Sequence, residues 1–96
     1  MAEQRAYLIS YDICDEKRLH RTARILEGYG FRMQKSVFYC KLSTLMKTSL
    51  IGELTSVINL AEDQCIVIDL GSNIDAIENF HSIGRPIPAI PKIIFI

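Results

Sequence analysis

The sequence AYLISYDI occupies residues 6–13 and is apolar until Asp12, close to its end. A strand this apolar usually lies in the middle of a sheet and is covered on both faces. An unpaired carboxylate at its tip would be costly, so Asp12 must meet a cation, a hydrogen-bond donor or water at a cleft. Asp12 is therefore either a capping or turn residue or a metal ligand.

Residue patterns after this strand alternate between helical and strand periodicity. The predicted elements are a helix over residues 16–29, strands over 31–34 and 37–42, a helix over 44–60 and a strand over 65–70. Asp15 and Ser43 precede the two helices and suit the N-cap position. The order β-α-β-β-α-β predicts an α+β fold, a ferredoxin-like sandwich in which two helices cover one face of an antiparallel sheet.

Apolar spacing also predicts which face of each helix is buried. The residues that recur at helical spacing are Leu19, Thr22, Ala23, Leu26 and Tyr29 in the first helix, and Met46, Leu50, Leu54, Val57, Ile58 and Ala61 in and just after the second.

The C-terminal stretch departs from these periodicities. Residues 72–85 fit either a short helix or an irregular edge strand, and the prolines between 86 and 91 exclude a central strand there. Residues 92–96 read KIIFI, and their four large apolar side chains would promote aggregation if left in water. We therefore divide the chain into a ferredoxin-like domain over 1–85 and a tail over 86–96, whose extra C-terminal edge strand packs on the partner in a homodimer.

The net charge is zero, but the charges are unevenly distributed. Residues 1–50 carry nine Lys or Arg and five Asp or Glu, whereas residues 51–96 carry two and six. One end of the molecule can therefore present a basic surface, although a wholly non-specific nucleic-acid binder would usually be more basic overall.

The three cysteines show no Cys-x-x-Cys spacing and are expected to be buried, reduced thiols. Neither a signal peptide nor an apolar run of about 18 residues is found, so we expect a cytoplasmic protein with no membrane partner.

Asp12 is the strongest candidate for a catalytic and metal-binding residue. The sequence contains no Gly-rich phosphate loop, no paired histidines and no Gly-x-Ser-x-Gly. One carboxylate is few for Mg²⁺, which prefers six oxygens and binds through one or two carboxylates, waters and phosphates. A homodimer with Asp12 near its two-fold axis would supply two carboxylates, and Mg²⁺ or Mn²⁺ would relieve their repulsion and assist phosphodiester cleavage.

Basic residues follow on the first predicted helix. Lys17, Arg21 and Arg24 recur at i, i+4 and i+7, with Arg18 alongside. This stripe begins a few residues after Asp12 and lies at the same end of the domain, where it could hold a phosphate backbone near a metal. A solvated helix face without a ligand is the alternative explanation.

Four stretches together resemble the Cas2 family of small CRISPR-associated proteins. They are YLISYDI at 7–13, DEKR at 15–18, LEGYG at 26–30 and RMQKSVFYC at 32–40. The resemblance continues through the second helix, the strand at 65–70 and the apolar tail. Tyr-Asp-Ile with a downstream Gln-x-Ser-Val-Phe is the most specific combination.

The resemblance implies a ferredoxin-like homodimer that acts in CRISPR adaptation. In that family the dimer bridges two dimers of a CRISPR integrase of the Cas1 type and helps to hold the DNA fragment that becomes a new spacer. Several members are described as metal-dependent endonucleases on RNA or double-stranded DNA, and Asp12 matches the aspartate that binds Mg²⁺ in that account.

The resemblance also implies a set of nucleic-acid-binding residues. Those that match positions in this chain are Tyr11, Arg21, Arg32 and Phe38. Arg18 is a neighbouring candidate on the same helix, and Arg24 belongs to the basic stripe described above.

Three functions remain open at this stage. The first is a metal-dependent endonuclease with Asp12 as ligand. The second is a non-catalytic architectural subunit that bridges an integrase and DNA, and the third is a toxin-like ribonuclease of the same fold. A small-molecule regulatory domain is disfavoured because the sequence has no Gly-rich ligand loop.

Overall fold

The computed structural model describes residues 3–88 of the chain. Its elements are β1 Gln4–Asp12, α1 Glu16–Glu27, β2 Gly30–Gln34, β3 Val37–Ser43, α2 Thr44–Val57 and β4 Gln64–Gly71, followed by a short 3-10 helix, Ala76–Asn79. The four strands form one antiparallel sheet in the order β2-β3-β1-β4. This is the ferredoxin-like α+β sandwich that the sequence predicts.

The core lies between one face of the sheet and the two helices. Alternate residues of β1, among them Tyr7, Ile9 and Tyr11, are buried in a single apolar cluster. Leu26 of α1 and Leu54 of α2 belong to the same cluster, so both helices cover the same face. The central position of β1 explains why its sequence is so apolar.

The N-cap residues predict where both helices begin, whereas the ends of the helices differ from the prediction. The Asp15 carboxylate accepts a hydrogen bond from the Arg18 backbone N–H at 3.0 Å, and the Ser43 hydroxyl accepts one from the Met46 N–H at 3.2 Å, so both predicted N-caps are confirmed. Helix α1 ends two residues before the predicted Tyr29, because the N–H groups of Gly28 and Tyr29 bond to carbonyls three residues back and tighten the last turn. Helix α2 ends at Val57 because the next residue adopts an extended backbone.

Three burial predictions are wrong. Met46 is exposed in the first turn of α2, and Ala61 is exposed because the helix has already ended before it. Cys14 is an exposed thiol, because it lies in the loop between β1 and α1 rather than inside a strand. Cys40 is buried as expected, and burial raises the pKa of its thiol to about 12.

Tyr39 binds the middle of segment 72–85, between residues 74 and 80. Its hydroxyl donates to the Ile74 carbonyl oxygen at 2.9 Å and accepts from the Ile77 N–H at 3.3 Å. The Phe80 ring lies edge-on at 6.0 Å from the Tyr39 ring. The segment therefore forms a 3-10 turn over the β3 side of the sheet face that the helices leave open, which selects the short helix from the two predicted alternatives. The predicted edge strand at 92–96, and the packing of the tail on a partner, lie outside the described residues.

The β4 side of this open face carries large apolar side chains that are uncovered within residues 3–88. Ile66 and Ile68 of β4 are 47% and 43% exposed, and they pair with Ser10 and Leu8 of β1. A groove of about 1130 Å³ opens beside Leu8, between the β2–β3 hairpin and residues 80–88.

No helix in the described part of the chain is long and apolar enough to cross a bilayer.

Candidate metal and nucleic-acid site

Asp12 is the last residue of β1 and pairs with Gln64 at the start of β4. Its side chain is exposed, and strand alternation places it on the open face of the sheet, in line with Leu8 and Ser10. Within residues 3–88 its carboxylate forms no hydrogen bond or ion pair. Asp12 is therefore not a capping or turn residue here, and its oxygens are free to bind a ligand.

The residues around Asp12 fit magnesium only as part of an open, shared site. The described part of the chain contains no group of three or more His, Cys, Asp or Glu side chains able to hold a metal ion. The described residues around Asp12 thus supply fewer than three such side chains. Mg²⁺ commonly keeps several waters and completes its shell with one or two carboxylates and phosphate oxygens. An exposed, unpaired Asp12 suits that mode, provided that further oxygens come from a second copy or from a substrate.

Asp63 holds the loop that follows Asp12. Its side chain has no exposed surface and accepts four hydrogen bonds. Two come from backbone N–H groups, those of Cys14 at 2.9 Å and Asn59 at 2.8 Å. The other two come from the Arg18 guanidinium, at 2.7 Å from Nε and 3.3 Å from Nη2. Asp63 therefore joins the β1–α1 loop to the α2–β4 loop.

Asp63 could not be predicted as a site residue from the sequence. The residue lies in the polar run Ala61-Glu62-Asp63-Gln64, which resembles any exposed turn. Nothing in that spacing points to an arginine 45 positions earlier. Only the folded chain brings the two residues together.

The charges of this loop region influence each other. The Arg18 hydrogen bond, together with the N–H groups of Cys14 and Asn59, lowers the pKa of Asp63 well below its usual range. Desolvation, followed by the negative charges of Asp63 and Asp12, raises the pKa of the neighbouring Cys14 thiol. The Cys14 thiol donates to the Glu62 carbonyl oxygen at 3.1 Å.

Arg18 differs from the other basic residues of α1. Its guanidinium is paired with Asp63 and lies 3.9 Å from the Glu62 carboxylate, and its side chain is only 24% exposed. Lys17, Arg21 and Arg24 are exposed and form no ion pair within residues 3–88. The predicted stripe therefore divides into one paired arginine and three free cations, which we call the basic face of α1.

Three of the residues implied by the family resemblance form a second group. The Tyr11 and Phe38 ring centroids are 6.2 Å apart, and the Arg32 guanidinium carbon lies 5.3 Å from the Phe38 centroid. The Tyr11 hydroxyl donates to the Lys35 carbonyl oxygen at 3.3 Å, and burial raises the pKa of that phenol while the Arg32 charge opposes the shift. We call these three residues the hairpin cluster, because β2 and β3 carry two of them.

The hairpin cluster presents only Arg32 to solvent. Phe38 is 0% exposed and Tyr11 is 5% exposed, so in this conformation neither ring can stack on a base. Phe38 lies beneath the Arg32 guanidinium, so any contribution of these two rings to nucleic-acid binding would have to be indirect. Within the described residues, neither Arg21 nor Arg24 forms a hydrogen bond or a ring contact with the cluster.

The chain is a small ferredoxin-like protein. It exposes a free carboxylate at the end of a central strand and a basic face on the helix that follows. Residues 5–76 match the family model described as "CRISPR associated protein Cas2", and the chain belongs to this family. It is 32% identical to the CRISPR-associated endoribonuclease Cas2 of Geobacter sulfurreducens over 79 residues, which cover 82% of this chain and 83% of that protein.

Solved structures of the family share the fold. The crystal structure of Streptococcus pyogenes Cas2 matches with a TM-score of 0.73 and 28% identity, covering 82% of this chain and 99% of that one. A chain of a structure described as a partial Cas6-RT-Cas1–Cas2 complex matches with a TM-score of 0.73 and 32% identity, covering 96% of this chain and 99% of that one.

Proposed function

We propose that this protein is a homodimeric, Mg²⁺-dependent endonuclease that acts on RNA or double-stranded DNA in the cytoplasm during CRISPR adaptation. The observation that carries the proposal is the free Asp12 carboxylate at the end of β1, next in the chain to a helix with three unpaired cations. The relatives' endoribonuclease name and the Cas1–Cas2 assembly support the same assignment.

The open face of the sheet supports a homodimer. Ile66 and Ile68 leave nearly half of their surface in water, and such pairs of β-branched residues on a sheet face favour burial against another apolar surface. Asp12 lies on the same face as Leu8, the direct partner of Ile68 in the sheet. Two copies that meet through this face about a two-fold axis would therefore bring their Asp12 side chains toward each other, which supplies the second carboxylate.

Each part of the surface then has a chemical role. The paired Asp12 carboxylates would hold Mg²⁺ or Mn²⁺, which supplies charge stabilisation at the scissile phosphate when bound. Lys17, Arg21 and Arg24 attract and orient the phosphate backbone. Arg32 adds a further cation beside the hairpin. Asp63 and Arg18 hold the loop that follows Asp12.

A cleavage assay tests the proposal. Native protein is expected to cut RNA or duplex DNA with Mg²⁺ and not with EDTA, and Asp12→Asn to lose that activity. Asp75→Asn is the matched control, because Asp75 is also an exposed aspartate but lies by Lys41, toward the opposite end of the sheet. Equal cleavage by the native and Asp12→Asn proteins would place the activity in another residue or in a contaminant.

The dimer has its own test. Ile68→Asp is expected to convert the protein to a monomer in sedimentation-velocity experiments, because it places a charge in the centre of the apolar face. Leu45→Asp, at a position of α2 that is 76% exposed and lies on the helix side, should leave the sedimentation coefficient unchanged. A native protein that sediments as a monomer would refute the shared site.

An architectural role is the second candidate, because the described residues contain no cluster of three or more metal-binding side chains and a relative is part of a complex with Cas1. In that role the protein would bridge a Cas1-type integrase and DNA without cutting. Asp12→Asn would then leave spacer acquisition intact, whereas the double variant Arg21→Gln, Arg24→Gln would abolish it. An endonuclease required for acquisition would show the opposite response to Asp12→Asn.

A further inference from the structure

We infer that Asp63 is a positioning residue for Asp12, and that Arg18 serves this structural pair instead of binding phosphate. The inference rests on the proposed function for the role of Asp12, but its geometry and two of its tests are independent of cleavage. Asp63 is thereby added to the site, and Arg18 is removed from the predicted nucleic-acid contacts.

The hydrogen bonds of the Asp63 carboxylate fully satisfy both of its oxygens. Its buried carboxylate has two oxygens, and each accepts one backbone N–H and one guanidinium N–H. A buried carboxylate is stable only when its charge is paired and its lone pairs are satisfied. Asp63 meets both conditions, so its side chain has a single well-defined orientation.

The second step is the short chain distance to Asp12. Only Ile13, Cys14 and Asp15 separate β1 from α1. The Asp63 carboxylate accepts a hydrogen bond from the Cys14 backbone N–H, and the Asp15 carboxylate accepts one from the Arg18 backbone N–H. Arg18 is thus fixed at both ends, by Asp15 at its N–H and by Asp63 at its guanidinium. The backbone that leaves Asp12 therefore has little freedom to move.

The third step concerns charge. A cation contributes to nucleic-acid affinity by releasing counterions from phosphates, and this requires a charge that is free to meet them. The Arg18 charge is already compensated by Asp63 and Glu62. Arg21, one turn further along α1, has no such partner within residues 3–88. Two arginines of one helix thus have different roles.

Asp63→Asn tests the positioning role. This variant keeps the size of the side chain and removes its charge. We expect the Cys14 amide to exchange hydrogen about tenfold faster than in the native protein, because a charge-assisted hydrogen bond is weakened. The Mg²⁺ concentration for half-maximal chemical-shift change of the Asp12 amide should rise about tenfold, the lower end of the range for loss of a group that supports a metal ligand. In a substrate titration, kcat should fall while KM changes less than about twofold.

Asp69→Asn is the matched control. Asp69 also pairs with an arginine, Arg5, at 3.1 Å and accepts a backbone N–H, that of Gly71, at 2.7 Å. It lies near the opposite end of β1, where its neighbour across the sheet is Tyr7. Asp69→Asn should leave the Cys14 exchange rate and the Mg²⁺ response unchanged. The positioning role is overturned if both variants change these quantities equally, or if Asp63→Asn changes neither.

A salt titration tests the role of Arg18. The logarithm of the binding constant for a 20-nucleotide RNA and for a DNA duplex is measured against the logarithm of salt concentration. Arg21→Gln should make the slope shallower by about 0.7 for single strands and about 0.9 for duplex, the value for one phosphate contact. Arg18→Gln should leave the slope unchanged. A slope reduced equally by both variants would show that Arg18 also contacts phosphate.

These experiments separate the inference from the proposed function. If the native protein shows no Mg²⁺-dependent cleavage that depends on Asp12, the endonuclease assignment fails, while the exchange and salt measurements still decide the role of the Arg18–Asp63 pair. If Asp63→Asn does not fold, Arg18→Lys replaces it, because a lysine keeps the charge but cannot donate from two nitrogens to the two carboxylate oxygens.

Discussion

The Arg32 guanidinium carbon lies 5.3 Å from the centroid of the Phe38 ring, so an exposed cation rests on a ring that is fully buried. Arg32 belongs to β2 and Phe38 to β3, and the two are direct partners in the strand register. The buried phenylalanine ring thereby supports a charged group on the surface. It orients the guanidinium without touching a ligand.

Phe38→Leu is expected to weaken nucleic-acid binding through Arg32. Losing an exposed cation–π contact costs about 0.5–1 kcal/mol, which corresponds to a roughly two- to fivefold rise in Kd. The effect should vanish in an Arg32→Met background, because the cation is then already gone. A double-mutant cycle with RNA binding measures this coupling. An equal effect of Phe38→Leu in both backgrounds would mean that the ring acts through general stability.

The Arg18–Asp63 pair predicts how stability depends on pH. The folded-state pKa of Asp63 is lower than the value of about 3.9 in an unfolded chain, so the unfolded state binds more protons as the pH falls. The stabilisation by Asp63 is therefore complete above about pH 5 and is lost as the pH falls below about 4.

Asp63→Asn should be less stable than the native protein at pH 7 and should lose less stability between about pH 5 and pH 2.5. Urea unfolding across this range is the measurement. The two curves should converge at the acid end, and curves that stay parallel would contradict an Asp63 pKa that is lowered by folding.

Thr22 offers a substitution that should stabilise the fold. Its side chain is fully buried in α1, and its hydroxyl has no hydrogen-bond partner within the described residues. Thr22→Val keeps the shape and removes the unsatisfied group, so we expect the free energy of unfolding to rise by about 1 kcal/mol. Thr22→Ser keeps the hydroxyl and loses a methyl group, and should destabilise by a similar amount. Thermal and urea unfolding compare the two, and a destabilised Thr22→Val protein would show that the hydroxyl has a partner.

Two glycines should respond in opposite ways to substitution by alanine. A Cβ at Gly30 would lie 2.2 Å from the Tyr39 carbonyl oxygen and 2.5 Å from the Cys40 sulfur, so β2 would have to move away from β3. A Cβ at Gly52, in the middle of α2, would meet nothing within 4 Å.

Gly30→Ala should therefore destabilise by about 1–3 kcal/mol or more and should also weaken binding through Arg32, because both residues lie on β2. Gly52→Ala should stabilise by about 1 kcal/mol, the difference in helix propensity. Unfolding by urea measures both changes. A stable Gly30→Ala protein would show that the hairpin can shift without loss.

The order of the elements and the two N-caps could be predicted from the sequence because each depends on short-range chemistry. The Asp15 and Ser43 caps join residues only three positions apart. Alternation in β1 likewise fixes which side chains share a face, so the position of Asp12 on the face opposite Tyr11 follows from the spacing alone. Helix ends were predicted less well, because the 3-10 bonds that close α1 depend on how the chain enters β2.

The partners of the charged and aromatic side chains were decided by the tertiary structure. Arg18 and Asp63 are 45 residues apart, and Tyr39 and Ile74 are 35 apart, so no local pattern connects them. The sequence determined that α1 is basic, whereas the fold determined that one of its arginines is neutralised and that Phe38 supports Arg32 from inside the core. Long-range contacts depend on sheet register and loop geometry, and these are set only when the whole chain packs.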